Sequence, residues 1–139
     1  MSYIEEIERR GRDANPFFRL MEIDIGDFGN GRAGLYMTVR PDMHNGVGWL
    51  QGGLYTALCD EAMALALFTV LDKGSAIATI SECTSFLQGV KSGSICAAGE
   101  VVKRGRSVAF MRGRVSSEAG ESLAECTASF AILPSKKTA

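Results

Sequence analysis

Three regimes of apolar and polar positions succeed one another along the chain. In residues 2–13, Ile4 and Ile7 recur among charges, the spacing of a short amphipathic helix, with Ser2 as N-cap and Glu5 three residues on. Asn15-Pro16 closes it. Residues 17–25 and 32–40 then read as two strands joined by the turn-rich GDFGNG, ahead of a loop over 41–50. Next comes a long apolar run, 54–71, opened by Gly52-Gly53 and closed by Gly74 as a C′ residue. It is apolar almost all round and must be enclosed on several sides. Beyond it, residues 76–87, 94–103, 107–117 and 121–133 are strand-length and rich in Val, Ile, Thr and Ser. The intervening QGVKSG, RGR and EAGE are short enough for antiparallel hairpins. One long helix followed by such strands predicts an α+β fold, an antiparallel sheet with the helix packed on one face. The last residues, 134–139, read as a loose tail on a single domain spanning 1–139.

Composition narrows the function. The 139 residues carry 15 basic and 16 acidic side chains, a net charge of -1, which argues against a nucleic-acid partner. The run at 54–71 is long enough to cross a bilayer, but Asp60 and Glu61 sit near its middle, so it reads as a buried helix. The N-terminus, MSYIEEIERRGRD, has no secretory apolar stretch, and the expected location is the cytoplasm. Cys59, Cys83, Cys96 and Cys126 form no CxxC pair and only one histidine is present, so no metal or cofactor is expected. All four cysteines read as reduced core residues.

Asp60 and Glu61 are the only charged side chains inside that run. Successive helix residues point about 100° apart, so the two carboxylates cannot share one environment. One faces solvent or a subunit boundary and the other a cleft, unless both occupy a thin exposed seam. At the helix start, Gln51-Gly52-Gly53 presents backbone N–H groups suited to a carbonyl that becomes an oxyanion. The same pair also reads simply as a tight entry into the helix. Asn45 and Gln51 add neutral polar groups nearby.

The spacing Asn45-x-x-Gly48-x-x-Gln51-Gly52-Gly53-x4-Leu58-x-Asp60 resembles the signature of the hotdog-fold acyl-CoA thioesterases, of the phenylacetate-degradation and 4-hydroxybenzoyl-CoA thioesterase type. The segment TSFLQGVKSGSICAAGEVVKRGRSVAF is similar to that family's middle strands. The resemblance implies an antiparallel sheet wrapped around one long central helix, and hydrolysis of acyl-CoA to free acid and coenzyme A. It makes Asp60 the nucleophile or general base and Gly52 the donor that polarises the thioester carbonyl. Asn45, Gln51 and Thr79 then serve to place the attacking water or acyl group. Gly53 and the turn Arg104-Gly105-Arg106-Ser107 become substrate-binding positions, the turn holding the nucleotide end of coenzyme A. Gln51 stands where the family's common pattern has histidine, and an amide donates hydrogen bonds without titrating near neutrality. The resemblance further implies a homodimer or dimer of dimers with the site at the subunit interface and neither nucleic acid nor membrane as partner. Leu54, Met63 and Phe86 would line the acyl pocket.

Two rivals share this fold. A dehydratase whose carboxylate was Glu61 would need a histidine near position 47, but that residue is Val, and the lone histidine, His44, is displaced from it. A non-catalytic acyl-CoA-binding protein is the stronger alternative, with Gln51 as the mark of a weakened site.

Overall fold

The computed structural model describes residues 1–135. Ser2 caps helix α1 (Tyr3–Arg10), its hydroxyl accepting from the Glu5 N–H at 3.3 Å. A 3-10 turn over Gly11–Ala14 follows. The next segment departs from the expected strand: Pro16–Met21 is a short helix, α2, and strand β1 (Asp24–Gly29) begins only after it. The cause is local. Asn15 caps α2 by accepting from the Phe17 N–H, and Pro16 occupies the first turn, where its missing N–H costs nothing. The dipeptide that closes one helix opens another.

β1 extends through most of GDFGNG, and only Asn30 and Gly31 turn, both with positive φ, into β2 (Arg32–Thr38). A 3-10 turn at Pro41–Met43 and a loop lead to helix α3 (Gly52–Phe68). α3 stops short of Gly74 because Thr69 turns its hydroxyl back onto the Ala66 carbonyl at 2.6 Å and accepts the Gly31 N–H at 2.8 Å. The β1–β2 turn is thus fastened to the end of the helix.

Four long strands follow: β3 (Ala76–Phe86), β4 (Ser94–Arg104), β5 (Val108–Ser117) and β6 (Ser122–Leu133). All pair antiparallel in one sheet of order β1-β2-β4-β5-β6-β3. RGR and EAGE close hairpins as expected, but QGVKSG does not. β3 pairs with β6, so residues 87–93 cross the end of the sheet to reach β4 beside β2. Along this path Leu87 and Gln88 donate to the Leu123 carbonyl, Val90 accepts from Leu50, and Gly93 accepts from Val39. The crossing therefore runs beneath the entry to α3.

α3 lies across one face of the sheet and buries Leu58, Cys59, Ala62, Met63, Leu65, Ala66 and Leu67. Two glycines set how closely it approaches. A Cβ on Gly99 would stand 2.6 Å from the backbone of Ala62 and Met63, and one on Gly113 would stand 3.2 Å from Cys59 Sγ. Met63, fully buried against Gly113, is core and lines no pocket. Cys59 and Cys126 are buried as expected, whereas Cys83 is exposed and Cys96 partly so. Both of these sit at alternate positions facing away from α3. No helix of the described residues is long and apolar enough to cross a membrane. Of the expected tail, 136–139 lie outside the described residues.

Candidate active site

The start of α3 is built by Gln51. Its side-chain oxygen accepts from the Gly53 N–H, and its carbonyl accepts from the Leu54 N–H at 3.0 Å. Among the described residues the Gly52 N–H has no acceptor, so it is the donor that the first turn leaves open to a ligand. Gln51 therefore has a definite local task, that of N-cap, which the sequence motif did not reveal. The Phe86 ring lies 3.2 Å from where a Gly52 Cβ would stand, so an aromatic wall stands beside this residue. Phe86 is itself half exposed and tilts against Tyr55 at 6.1 Å. Asn45 uses its side-chain carbonyl to fold the loop, accepting from the N–H groups of Val47 at 3.0 Å and Trp49 at 3.1 Å. Its amide nitrogen is the part left to face a ligand. A cavity of about 390 Å³ beside this entry is lined by Leu20, Met43, His44, Gln51, Gly53 and Leu54.

Asp60 and Glu61 separate as helical geometry requires. Glu61 points to the N-terminal segment, where Asn15 Nδ2 donates to it at 3.1 Å and to Tyr3 Oη at 2.9 Å. Burial raises the Glu61 carboxyl above its usual range, and the Tyr3 phenol is pushed up to about 12 by the same cause. Glu61 thus fastens α1 and α2 to α3. Asp60 instead faces β3 and accepts from Thr79 Oγ1 at 2.9 Å. One helical turn earlier on the same face, Thr56 and Thr84 share a hydrogen bond of 2.8 Å, and Thr84 reaches Cys126 Sγ at 3.3 Å. Between the two threonines of β3 lies Glu82, with one carboxyl oxygen enclosed and no partner for it. Glu82 is the polar residue of this seam that sequence reasoning missed.

Several expected site residues are not brought together within one chain. Gly52 and Asp60 are eight positions apart on α3, about 12 Å along its axis. A single carbonyl cannot touch both. The turn Arg104-Gly105-Arg106-Ser107 lies at the opposite end of the sheet from Gly52. Ser107 accepts from the Ile132 N–H, and Val108 pairs with Ala131, itself opposite Ala78 at the start of β3. That is the end of the sheet nearest the C-terminus of α3. Gly105 is obligatory in the turn, since a Cβ would meet the Val108 carbonyl oxygen at 2.7 Å. Neither Arg104 nor Arg106 has an acidic partner among the described residues. Two larger concavities, about 820 and 790 Å³, lie beside the N-terminal helix and on the sheet face away from α3, and neither contains Gly52 or Asp60.

A sequence model of the thioesterase superfamily matches residues 48–124, more than half of the chain and the part that holds α3 and β3–β5. The chain belongs to that superfamily. Hydrolysis of thioesters is the general chemistry that membership supports. A proposed esterase of Mycobacterium tuberculosis is 26% identical over 94 residues, 66% of this chain and 67% of the relative. Its solved structure superimposes with a TM-score of 0.83 at 21% identity, covering 88% of this chain and 99% of that one. A thioesterase family protein from Silicibacter pomeroyi gives a TM-score of 0.84 at 24% identity over 95% and 98% of the two chains. A thioesterase of Haemophilus influenzae gives 0.81 at 21% over 86% and 84%. These likenesses establish the hotdog fold of the thioesterase, an antiparallel sheet around a central helix.

Proposed function

We propose that the protein hydrolyses acyl-CoA thioesters at a site shared by two copies of the chain. The observation that carries this reading is the placement of two complementary groups: an open N–H at Gly52 and a carboxylate at Asp60 held by Thr79. A thioester carbonyl seated on the Gly52 N–H has its developing oxyanion at the positive end of α3. The separation of about 12 Å between Gly52 and Asp60 along α3 then calls for the Asp60 of a second copy. The unpaired edge of β3 supplies the means. Among the described residues β3 is bonded on one side only, to β6, and exposes Ile80 and Phe86, with exposed Leu87 just beyond its end. Pairing two such edges would continue the sheet and bring the two α3 helices alongside each other.

In this arrangement the Asp60 carboxylate either attacks the carbonyl carbon, giving a mixed anhydride that water then hydrolyses, or takes the proton of a water that attacks it. In both routes the C–S bond breaks and the thiolate of coenzyme A leaves. Thr79 holds the carboxylate, while the Asn45 and Gln51 amides orient the acyl group. Gly53 gives the loop room to approach. Arg104 and Arg106, with no acidic partner, offer charge to the phosphates of coenzyme A, with Gly105 and Ser107 shaping the turn. Leu54 and Phe86 border the acyl end. The alternative of a binding protein without turnover would use the same Gly52 N–H, with Gln51, which caps α3, in place of a titratable histidine. Short, medium, long and aryl acyl-CoAs, followed by release of free thiol with Asp60→Asn alongside, test the reading. Turnover that falls by orders of magnitude in the variant is the expected result; equal rates remove Asp60 from the mechanism. Saturable binding without thiol release would leave only the binding role.

A further inference from the structure

Asp60 has a second acidic neighbour that the chemistry above does not use. Glu82 follows Thr79 by three positions on β3, and in a regular strand that spacing puts two side chains on opposite faces. A bulge cancels one step of the alternation: Thr79 pairs with Phe130, and Ser81 rather than Ile80 takes Ser129. Glu82 and Thr84 are consequently half-buried toward α3, while Ser81 and Cys83 are exposed. One oxygen of Glu82 is enclosed without a hydrogen-bond partner, on the same strand whose Thr79 holds the Asp60 carboxylate at 2.9 Å. No lysine, arginine or histidine pairs with either residue among the described residues. The titratable groups facing Glu82 are Asp60 and Cys59 from α3 and Cys126 from β6. All are acids, so each opposes a further negative charge. Two facing carboxyl groups with no cation between them hold one proton more readily than none.

We infer that Glu82 is a positioning residue for Asp60: it stays protonated in the resting site and donates its O–H to the Asp60 carboxylate. Thr79 and Glu82 then grip Asp60 from one strand and fix it in the orientation that thioester attack requires. Burial first, then the hydrogen bond to Asp60 and its charge, push the Glu82 carboxyl up to about 8. Above that pH Glu82 ionises, its donated hydrogen bond is lost, and repulsion drives the Asp60 carboxylate from its position. This role rests on the reading of Asp60 given above, but the proton shared by the pair does not.

The pair is tested first without substrate, by carboxyl-carbon nuclear magnetic resonance of Glu82 as a function of pH in the full chain and in Asp60→Asn. Glu82 is expected to titrate near 8 in the parent and to move downward in the variant. Titration of Glu82 in the ordinary carboxylate range, or no response to Asp60→Asn, overturns the inference. The second readout is the pH profile. The parent's kcat is expected to fall above about pH 8, whereas Glu82→Gln, whose amide donates at every pH, loses that alkaline fall. Glu82→Leu lowers kcat across the range with little change in KM, because the donor is gone. An alkaline limb that survives in Glu82→Gln contradicts the positioning role. A chain that hydrolyses no acyl-CoA contradicts the functional reading alone, and the substrate-free titration still decides the pair.

Discussion

Asp60 and Glu61 are adjacent in sequence and equal in chemistry, yet their surroundings give them different work. Asp60 meets a hydroxyl on β3 and looks into the seam between helix and edge strand, whereas Glu61 is bound by Asn15 beneath the N-terminal helices. Asp60→Asn is therefore expected to abolish turnover and Glu61→Gln to leave it at the parent's level, since the glutamine oxygen still accepts from Asn15. Kinetics of the two variants side by side check this. Asn15→Ala should instead cost about 1–2 kcal/mol of stability, because it strips the half-buried Glu61 of its donor and α2 of its N-cap. Denaturant unfolding measures that loss. The pH dependence of stability has a definite sign as well. Glu82 has a folded-state value raised above its unfolded one, so its contribution is fully favourable at acid pH and is lost as pH rises toward about 8. The Tm of Glu82→Gln relative to the parent should accordingly increase from acid pH to beyond about pH 8. At this scale the sequence showed that two carboxylates inside an apolar helix need an explanation. It did not show Glu82, since strict alternation puts Glu82 opposite Thr79 and only the bulge at Ile80 brings them together.

The elements were legible in proportion to how local their signals are. β3 to β6 carry β-branched residues between glycine turns, and their ends fall within a residue or so of the expected ones. Asn15-Pro16 signals a helix start as clearly as a helix end, and the strand expected at 17–25 gave way to α2 for that reason. The hairpin expected at QGVKSG failed on another ground. A connection of that length can turn back or cross a sheet end, and the choice is made by the pairing of β3 with β6, the last strand of the chain. Gly99 and Gly113 carried no local signal either, since their need arises only when α3 settles on β4 and β5. Gly99 approaches the helix backbone itself, which cannot yield as a side chain can. Gly99→Ala is expected to destabilise the fold by about 2–3 kcal/mol, read as a lower urea midpoint. An unchanged midpoint would mean that α3 leaves room for a methyl group above β4.

The molecule as a whole presents an edge strand that lacks a partner and two halves of a site that a single chain keeps about 12 Å apart on one helix. Each feature alone is ordinary; together they are what the proposed shared site requires. In that proposal the loop-and-glycine entry to α3 supplies the carbonyl donor, and the middle of a second α3 supplies the carboxylate. This separation follows from helical rise and could be read from the sequence spacing; that β3 is a free edge could not, because strand order is a property of the assembled sheet. The most direct test is complementation between two disabled variants. Gly52→Pro removes the N–H and sets the proline ring against Phe86, while the helix start is kept, since proline suits the first helical position and Gln51 already has the extended backbone that precedes proline. Asp60→Asn removes the carboxylate. Each alone should be inactive toward an acyl-CoA that the parent hydrolyses. Mixed as unfolded chains and refolded together, they should regain about a quarter of the parent's turnover, because random pairing makes half the dimers mixed and each mixed dimer has one intact site. A mixture as inactive as its components would contradict a site shared between two chains.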